Sequence, residues 1–151
     1  MSDYPQCLNY YQCKHFRIEE LVPKKVFEEL GGRAWGLFDS RILSTMDTTR
    51  DILGVPMVVN DWLWGGNHQY RGWRPTDWRP DGFSQGAKYS QHFYGRAIDS
   101  VSPHMPAEQM RLKIIENNKL FSFLTRIENK VSWLHLDCKN VNVSKIHLFN
   151  P

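Results

Sequence analysis

The stretch FSFLTRIENKVSWLHLDCKNVNVSKIHL, residues 121–148, alternates apolar and polar side chains along much of its length. Such alternation is typical of strands that bury one face, and the ENK triplet at 128–130 predicts a turn between two antiparallel strands. Successive side chains on a strand point to opposite faces of its sheet. One face of the second strand therefore carries Val131, Trp133, His135 and Asp137, and the other carries Ser132, Leu134, Leu136 and Cys138. A histidine and an aspartate thus face the same space as a tryptophan.

Apolar residues at helical spacing precede this region. HFRIEELVPKKVFEELG, residues 15–31, predicts two short helices, the second of which begins at Pro23. GLFDSRILSTMDTTRDILG, residues 36–54, predicts the longest helix of the chain. PAEQMRLKIIENNKLF, residues 106–121, predicts a further helix that Pro106 opens.

Two further strands are predicted at PMVVND, residues 56–61, and at HFYGRAIDSVS, residues 92–102. The order of helices, strand, loop, strand, helix and strands indicates an α+β fold, in which helices pack on one face of a mostly antiparallel sheet. A chain of 151 residues fits one domain of ordinary size, so we expect a single domain over residues 1–151.

Composition and charge narrow the class of protein. The net charge is +3, from 19 Lys and Arg against 16 Asp and Glu, and the basic residues are scattered, so nucleic acid is a disfavoured partner. The longest apolar run, ILGVPMVV at 52–59, is far shorter than the roughly 20 residues that span a bilayer. The N-terminal sequence lacks the pattern of a secretory signal. We therefore expect a cytoplasmic protein with no membrane partner, present as a monomer.

Residues 62–89 show no helical or strand period and are rich in Gly, Pro, Trp and Arg. A loop of this length in a small domain is usually functional. Its large side chains are Trp62, Trp64, Trp73 and Trp78, interleaved with Arg71, Arg74 and Arg79. They suit either a stacking surface for sugar or nucleic acid, or the anchoring of the loop to the core. Anchoring is favoured, because a loop without regular structure needs large side chains to hold it.

The stretch SQHFYGRAID, residues 90–99, places a histidine and an aspartate on either side of Gly95. Two imidazoles and one carboxylate are ligands that a catalytic zinc accepts, with a fourth tetrahedral position left for water. If the strand of Asp99 lies beside the strand of His135, then His92, Asp99 and His135 converge. Gly95 permits a tight turn, so that His92 arrives from a loop and Asp99 from a strand.

The same stretch resembles the S-x-H-x-x-G-x-A-x-D signature of the zinc D-alanyl-D-alanine carboxypeptidase family, which includes phage endolysin L-alanyl-D-glutamate peptidases. The signature positions are matched by Ser90, His92, Gly95, Ala97 and Asp99. A looser resemblance extends to HFRIEELV near the start, to VVNDWLWGGNHQYRG at 58–72, and to WLHLD at 133–137. It spans most of the chain in the right order.

The resemblance implies one zinc ion, bound by His92, Asp99 and His135. It also implies that Arg71 stabilises the oxyanion or holds a substrate carboxylate, and that Ser90 helps to orient the substrate. The implied substrate is a stem peptide of peptidoglycan. A phage-encoded lysin, released to the cell wall by a phage lysis system, is one origin that the resemblance implies.

The catalytic base of that family is usually a Glu or Asp shortly before the last histidine, often three positions before it, where this chain has Ser132. The alternatives are Glu128, upstream near the strand turn, and Asp137, downstream on the strand face of His135. Asp137 is equally suited to hold the His135 ring through a hydrogen bond. Glu128 is the favoured base, by a small margin.

The expected function is a zinc-dependent carboxypeptidase or endopeptidase that acts on peptidoglycan. D-Ala-D-Ala, L-Ala-D-Glu and cross-bridge bonds are the alternative sites of cleavage. Ser132 favours a protein of another class, a structural or binding module that keeps the zinc-binding fold without turnover. A nucleic-acid binder that uses the Trp- and Arg-rich loop is a third alternative, with weaker support because the net charge is small.

Overall fold

The computed structural model of the protein describes residues 11–78 and 90–151, in which three α-helices and four short strands form. The helices are α1 (Lys24–Leu30), α2 (Ser40–Leu53) and α3 (Ala107–Glu116). The strands are β1 (Ala97–Ser100), β2 (Arg126–Glu128), β3 (Leu134–Asp137) and β4 (His147–Phe149). Short 3-10 segments lie at Ile18–Glu20, Gly31–Leu37, Trp62–Trp64 and Asn118–Leu120.

The strands form one mixed sheet in the order β1-β3-β2-β4. β3 pairs in antiparallel fashion with both β1 and β2, which confirms the hairpin predicted through the ENK triplet. Lys130 in the turn has a φ of 59°, in the left-handed region. β4 differs from the antiparallel expectation, since it pairs with β2 in parallel.

The helices pack against this sheet through one buried cluster of apolar side chains. α3 lies on β3, and α2 lies on α3. The strands contribute Ile98, Ile127, Leu134 and Leu136 to the cluster, and α2 and α3 contribute Ile42, Leu43, Met46, Met110 and Ile114. The predicted fold class, a single α+β domain with a mostly antiparallel sheet, is therefore confirmed. Because Leu134 and Leu136 face the helices, the opposite face of β3 presents His135 and Asp137.

Local chemistry sets the ends of the helices. The Asp39 side chain caps α2 and accepts a hydrogen bond of 3.0 Å from the Arg41 amide. Gly54 ends α2 in the left-handed conformation, with a φ of 64°. Pro23 and Pro106 directly precede α1 and α3. The longest predicted helix and the helix opened by Pro106 are thus confirmed.

The strand predicted over residues 56–61 is wrong. Val58 forms a single isolated bridge with Val101, with N–O distances of 2.7 and 2.9 Å. The Asn60 amide, two residues on, donates instead to the Glu20 carbonyl at 2.9 Å. Because the Asn60 amide is already bonded to another segment, the pairing with the segment of Val101 does not extend beyond this one bridge.

The helical segments before α1 are short. The first of the two helices predicted over 15–31 is one 3-10 turn, Ile18–Glu20, because Pro23 disfavours helical backbone at the residue before it. Within residues 11–78 and 90–151, no helix combines the length and the apolar character needed to cross a membrane.

Candidate metal centre

Three buried side chains, His92, Asp99 and His135, meet on the face of the sheet opposite the helices. Each offers one ligand atom, and these atoms all lie within 4.8 Å of one another. Asp99 of β1 stands directly opposite His135 of β3 in the antiparallel register, and His92 joins them from the turn before β1. The convergence predicted from the sequence is confirmed, and the cluster is close enough to hold a metal ion.

Gly95 shapes the turn that delivers His92. Its φ is 63°, a backbone conformation that favours glycine, and a Cβ here would overlap the Leu37 carbonyl oxygen. β1 begins only at Ala97, so the first half of the strand predicted over 92–102 is a turn. The turn folds His92 back toward Asp99, which a continuous strand would not do.

The ring of His92 is held with one nitrogen toward Asp99. Its Nδ1 lies 2.8 Å from the Gly72 carbonyl oxygen, to which it donates a hydrogen bond. This leaves Nε2, 3.3 Å from Asp99 Oδ2, as the nitrogen with an available lone pair. A Cβ on Gly72 would overlap the Leu21 carbonyl oxygen, so glycine allows the close approach that places this acceptor. Metal-binding histidines commonly donate their second ring nitrogen in this way.

His135 has a carboxylate at each ring nitrogen. Nδ1 lies 2.7 Å from Asp99 Oδ1, and Nε2 lies 2.9 Å from Asp137 Oδ2. Asp137 is fully buried and also accepts a hydrogen bond of 3.2 Å from the Lys139 amide. This is the geometry of the ring-holding role predicted as an alternative for Asp137, and it leaves Nδ1 of His135 to face the cluster.

The three side chains differ in their protonation. Burial lowers the pKa of His92, and attraction to Asp99 does not offset burial. Burial raises the pKa of Asp99, but attraction and hydrogen bonds from His92 and His135 outweigh it and hold the pKa of this carboxyl well below its ordinary value. Burial lowers the pKa of His135, but hydrogen bonds to Asp137 and Asp99 outweigh burial and raise this pKa to about 9. The metal-free cluster is thus a neutral imidazole, a carboxylate and an imidazolium at neutral pH.

The donor set fits zinc. Zinc takes imidazole nitrogen and carboxylate oxygen at about 2.0 to 2.2 Å in tetrahedral geometry, which separates two ligand atoms by roughly 3.3 Å. His92 Nε2 lies 3.3 Å from Asp99 Oδ2 and His135 Nδ1 lies 2.7 Å from Asp99 Oδ1, and the three ligand atoms all lie within 4.8 Å of one another, close enough to surround one ion. Three protein ligands, rather than four, are the number found in catalytic zinc sites.

The cluster opens into a cavity of about 500 Å³. The described residues that line it are Arg74, Ser90, Gln91, His92, Asp99, Arg126, Glu128, Trp133, His135, Lys139 and Phe149. Ser90 and Glu128 are among the site residues predicted from the sequence. Glu128 Oε2 lies 3.9 Å from His135 Nδ1, the ring nitrogen that faces Asp99. Asp137 is not among these lining residues, because it contacts the opposite ring nitrogen.

Arg71, predicted to contact the substrate, is not among the described residues that line the cavity. Its Nη1 donates to the Val59 carbonyl at 3.3 Å, and its own carbonyl accepts from the Asp99 amide at 2.7 Å. Arg74 lies beside the cluster instead, with Nη2 at 3.1 Å from Asp99 Oδ2 and Nε donating to the Tyr70 carbonyl at 2.6 Å. Burial lowers the pKa of Arg74, yet a guanidinium remains charged at physiological pH.

The tryptophans of residues 62–78 divide between anchoring and exposure. Trp62 Nε1 donates to a backbone carbonyl of the segment before α1 at 2.9 Å, and Trp73 packs against the apolar core. Trp64, by contrast, is 60% exposed. Anchoring thus accounts for Trp62 and Trp73, and the interleaved Arg79 lies outside the described residues.

Among the residues that the sequence did not predict, Gly72 and Arg126 support the ligands of the cluster. Gly72 places the carbonyl that holds His92, and Arg126 lies opposite Asp137 in the β2–β3 register and donates to its carboxylate. The only sequence signal for Arg126 is its place in the predicted hairpin, which pairs it with Asp137 only after the turn length is known. For Gly72 there is no periodic signal, since its loop has none.

Comparison of the chain with protein-family models, curated proteins and solved structures found no match. Any proposal for its function therefore rests on the geometry of this cluster and on the resemblance of residues 90–99.

Proposed function

We propose that the protein is a zinc-dependent peptidase that hydrolyses stem peptides of peptidoglycan. The observation that carries the proposal is the buried cluster of His92, Asp99 and His135, with Glu128 beside it in the wall of a cavity. The choice of peptidoglycan comes from the resemblance of SQHFYGRAID, residues 90–99, to the zinc D-alanyl-D-alanine carboxypeptidase signature.

A zinc ion in this cluster would polarise the scissile carbonyl and lower the pKa of a bound water toward about 7. Glu128 takes a proton from the attacking water, because its carboxylate lines the cavity on the Asp99 side of the His135 ring. The same carboxyl then delivers the proton to the leaving amine as the C–N bond breaks. Asp137 is less suited, because it is fully buried and its oxygens already accept hydrogen bonds from other groups.

Arg74 stabilises the negative charge that develops on the carbonyl oxygen, in place of Arg71. Its guanidinium lines the cavity and lies 3.1 Å from the Asp99 carboxylate, so its charge is next to the reacting centre. A well-placed donor of this kind typically contributes a few kcal/mol to transition-state stabilisation. Ser90 lines the cavity, and its role in this proposal is to help orient the bound peptide.

The test is digestion of purified peptidoglycan by the zinc-loaded protein, with the released fragments identified by mass spectrometry. We expect cleavage that a chelator abolishes and that added zinc restores. Loss of a terminal D-Ala would identify a carboxypeptidase, whereas new internal ends would identify an endopeptidase. The matched control is Glu128→Gln, which should bind zinc and lose most of its turnover.

A zinc-binding module without turnover is the second candidate, and Ser132 favours it because this position usually carries the family's base. One equivalent of bound zinc with no fragment released from any wall preparation would support this candidate. It would also contradict the role given to Glu128.

A further inference from the structure

Arg126 forms hydrogen bonds to the carboxylate of Asp137, which in turn contacts the His135 ring. Its Nε lies 2.9 Å from Asp137 Oδ1, and its Nη2 lies 2.7 Å from Asp137 Oδ2. The two residues stand opposite each other in the antiparallel β2–β3 register, so the contact follows from the hairpin itself. Two parallel charge-assisted hydrogen bonds fix the orientation of a carboxylate as well as its position.

Asp137 has little freedom to turn away from His135. Its Oδ2 faces His135 Nε2 at 2.9 Å, and its Oδ1 accepts from the Lys139 amide at 3.2 Å. The side chain is fully buried. The Asp137 carboxylate therefore links Arg126 to the His135 ring, whose orientation sets the direction of Nδ1.

Phe149 packs against both Arg126 and His135. The Arg126 guanidinium carbon lies 4.2 Å from the centre of the Phe149 ring, a cation–π distance. The same phenyl ring meets the His135 ring nearly at right angles, with 5.6 Å between ring centres. The parallel pairing of β4 with β2 places Phe149 there, opposite Glu128 in the register.

We propose that Arg126 is a positioning residue of the metal centre, which acts through Asp137 to aim Nδ1 of His135 at the metal, with Phe149 holding the guanidinium in place. Arg126 does not bind the metal in this scheme. The proposal rests on the metal site of the proposed function but not on peptidase activity, so it is tested by metal binding alone.

The first measurement is the zinc affinity of Arg126→Gln, by competition with a chelator. Removing an outer partner of a metal ligand typically weakens binding by about 10- to 100-fold, and we expect a loss of about 10-fold because Arg126 is one contact further out. Arg126→Lys, which keeps the charge but not the two-pronged contact, should lie between Gln and wild type. In the cobalt-substituted protein, Arg126→Gln should also shift the visible absorption bands, which report ligand geometry.

The matched control is Arg111→Gln. Arg111 is a buried arginine that supports the segment before β3, through hydrogen bonds of 3.0 Å to the carbonyls of Val131 and Trp133. It lies in α3, and its hydrogen bonds to described residues are to Glu108, Val131 and Trp133 rather than to Asp137. Its loss should destabilise the fold in urea without weakening zinc binding or shifting the cobalt bands.

The decisive experiment is a double-mutant cycle. If Arg126 acts through Asp137, Arg126→Gln should have no further effect on zinc affinity once Asp137→Ala is present. An equal loss in both backgrounds would overturn the proposal, and so would an equal loss in Arg111→Gln. Where Arg126→Gln does not fold, Arg126→Lys replaces it in the cycle, and unchanged affinity there overturns the proposal. A wild-type protein that binds no zinc overturns it together with the proposed function, whereas zinc binding without hydrolysis removes only the latter.

Discussion

Metal binding should release a proton from His135 near neutral pH, because His135 must lose a proton before its Nδ1 can act as a ligand. Hydrogen bonds to Asp137 and Asp99 outweigh the effect of burial and raise the pKa of His135 to about 9. Burial lowers the pKa of His92, and the pKa of Asp99 is held well below its ordinary value. Those two ligands are therefore ready to bind at pH 7 without losing a proton.

The size of the effect on zinc affinity follows from the difference between pH 7 and the pKa of His135. With a pKa of about 9, roughly one chain in 100 has a neutral His135 at pH 7. The proton and the metal compete for the same nitrogen, so raising the pH favours the metal. The apparent Kd for zinc should be about 100-fold weaker at pH 7 than above pH 9, a difference on the order of 3 kcal/mol. Affinity should rise about tenfold for each pH unit between about 6.5 and 8.5.

Calorimetric titration in two buffers of different ionisation enthalpy counts the protons released, and chelator competition measures the Kd at each pH. Asp137→Asn is the matched control. It removes one of the two carboxylates that stabilise the imidazolium, so its zinc affinity should become independent of pH at a lower pH than in wild type. A zinc affinity that stays constant from pH 6.5 to 8.5, with no proton released, would refute the arrangement of His135 between two carboxylates.

Four further outcomes are expected. The metal-free protein should lose stability as the pH rises from about 6.5 through 9, because His135 is more basic in the folded chain than in the unfolded chain. Urea unfolding in the presence of a chelator should show that the free energy of unfolding falls by an amount on the order of 3 kcal/mol over this range. The free energy of unfolding of His135→Gln should not fall in this way. His92→Ala should abolish high-affinity zinc binding, and one equivalent of zinc in metal analysis of that variant would mean that the ligand set is wrong. Glu128→Gln should keep zinc and fold while turnover falls by about 10² to 10⁴, and full activity would remove Glu128 as the base. Arg74→Ala should lower kcat/KM at least tenfold, whereas Arg71→Ala should retain more activity; the reverse order would return the role to Arg71.

Local patterns in the sequence were sufficient to predict the longest helix and the strand that carries His135. The helix over residues 36–54 is marked by its apolar period and by Gly54 at its end, and neither depends on the rest of the fold. The strand period placed His135 and Asp137 on one face, opposite the core. Gly95 was expected to permit a tight turn between His92 and Asp99, and its φ of 63° lies in the left-handed region that glycine favours.

Tertiary structure alone decided which side chains surround the cluster. The loop after residue 62 has no period, so nothing local distinguishes Arg71, which is turned to the Val59 carbonyl, from Arg74, which is turned to Asp99. The parallel pairing of β4 with β2 was likewise not predictable, since alternation marks a strand but not the direction of its partner. The positions of Glu128 and Asp137 relative to the cluster were not predictable for the same reason. Their spacing from His135 leaves both within reach, and only the hairpin register puts Asp137 behind the ring, against Arg126, and Glu128 at the cavity. Helical and strand periods report short-range sterics and burial, whereas the direction of a side chain into a site depends on contacts between segments far apart in the chain.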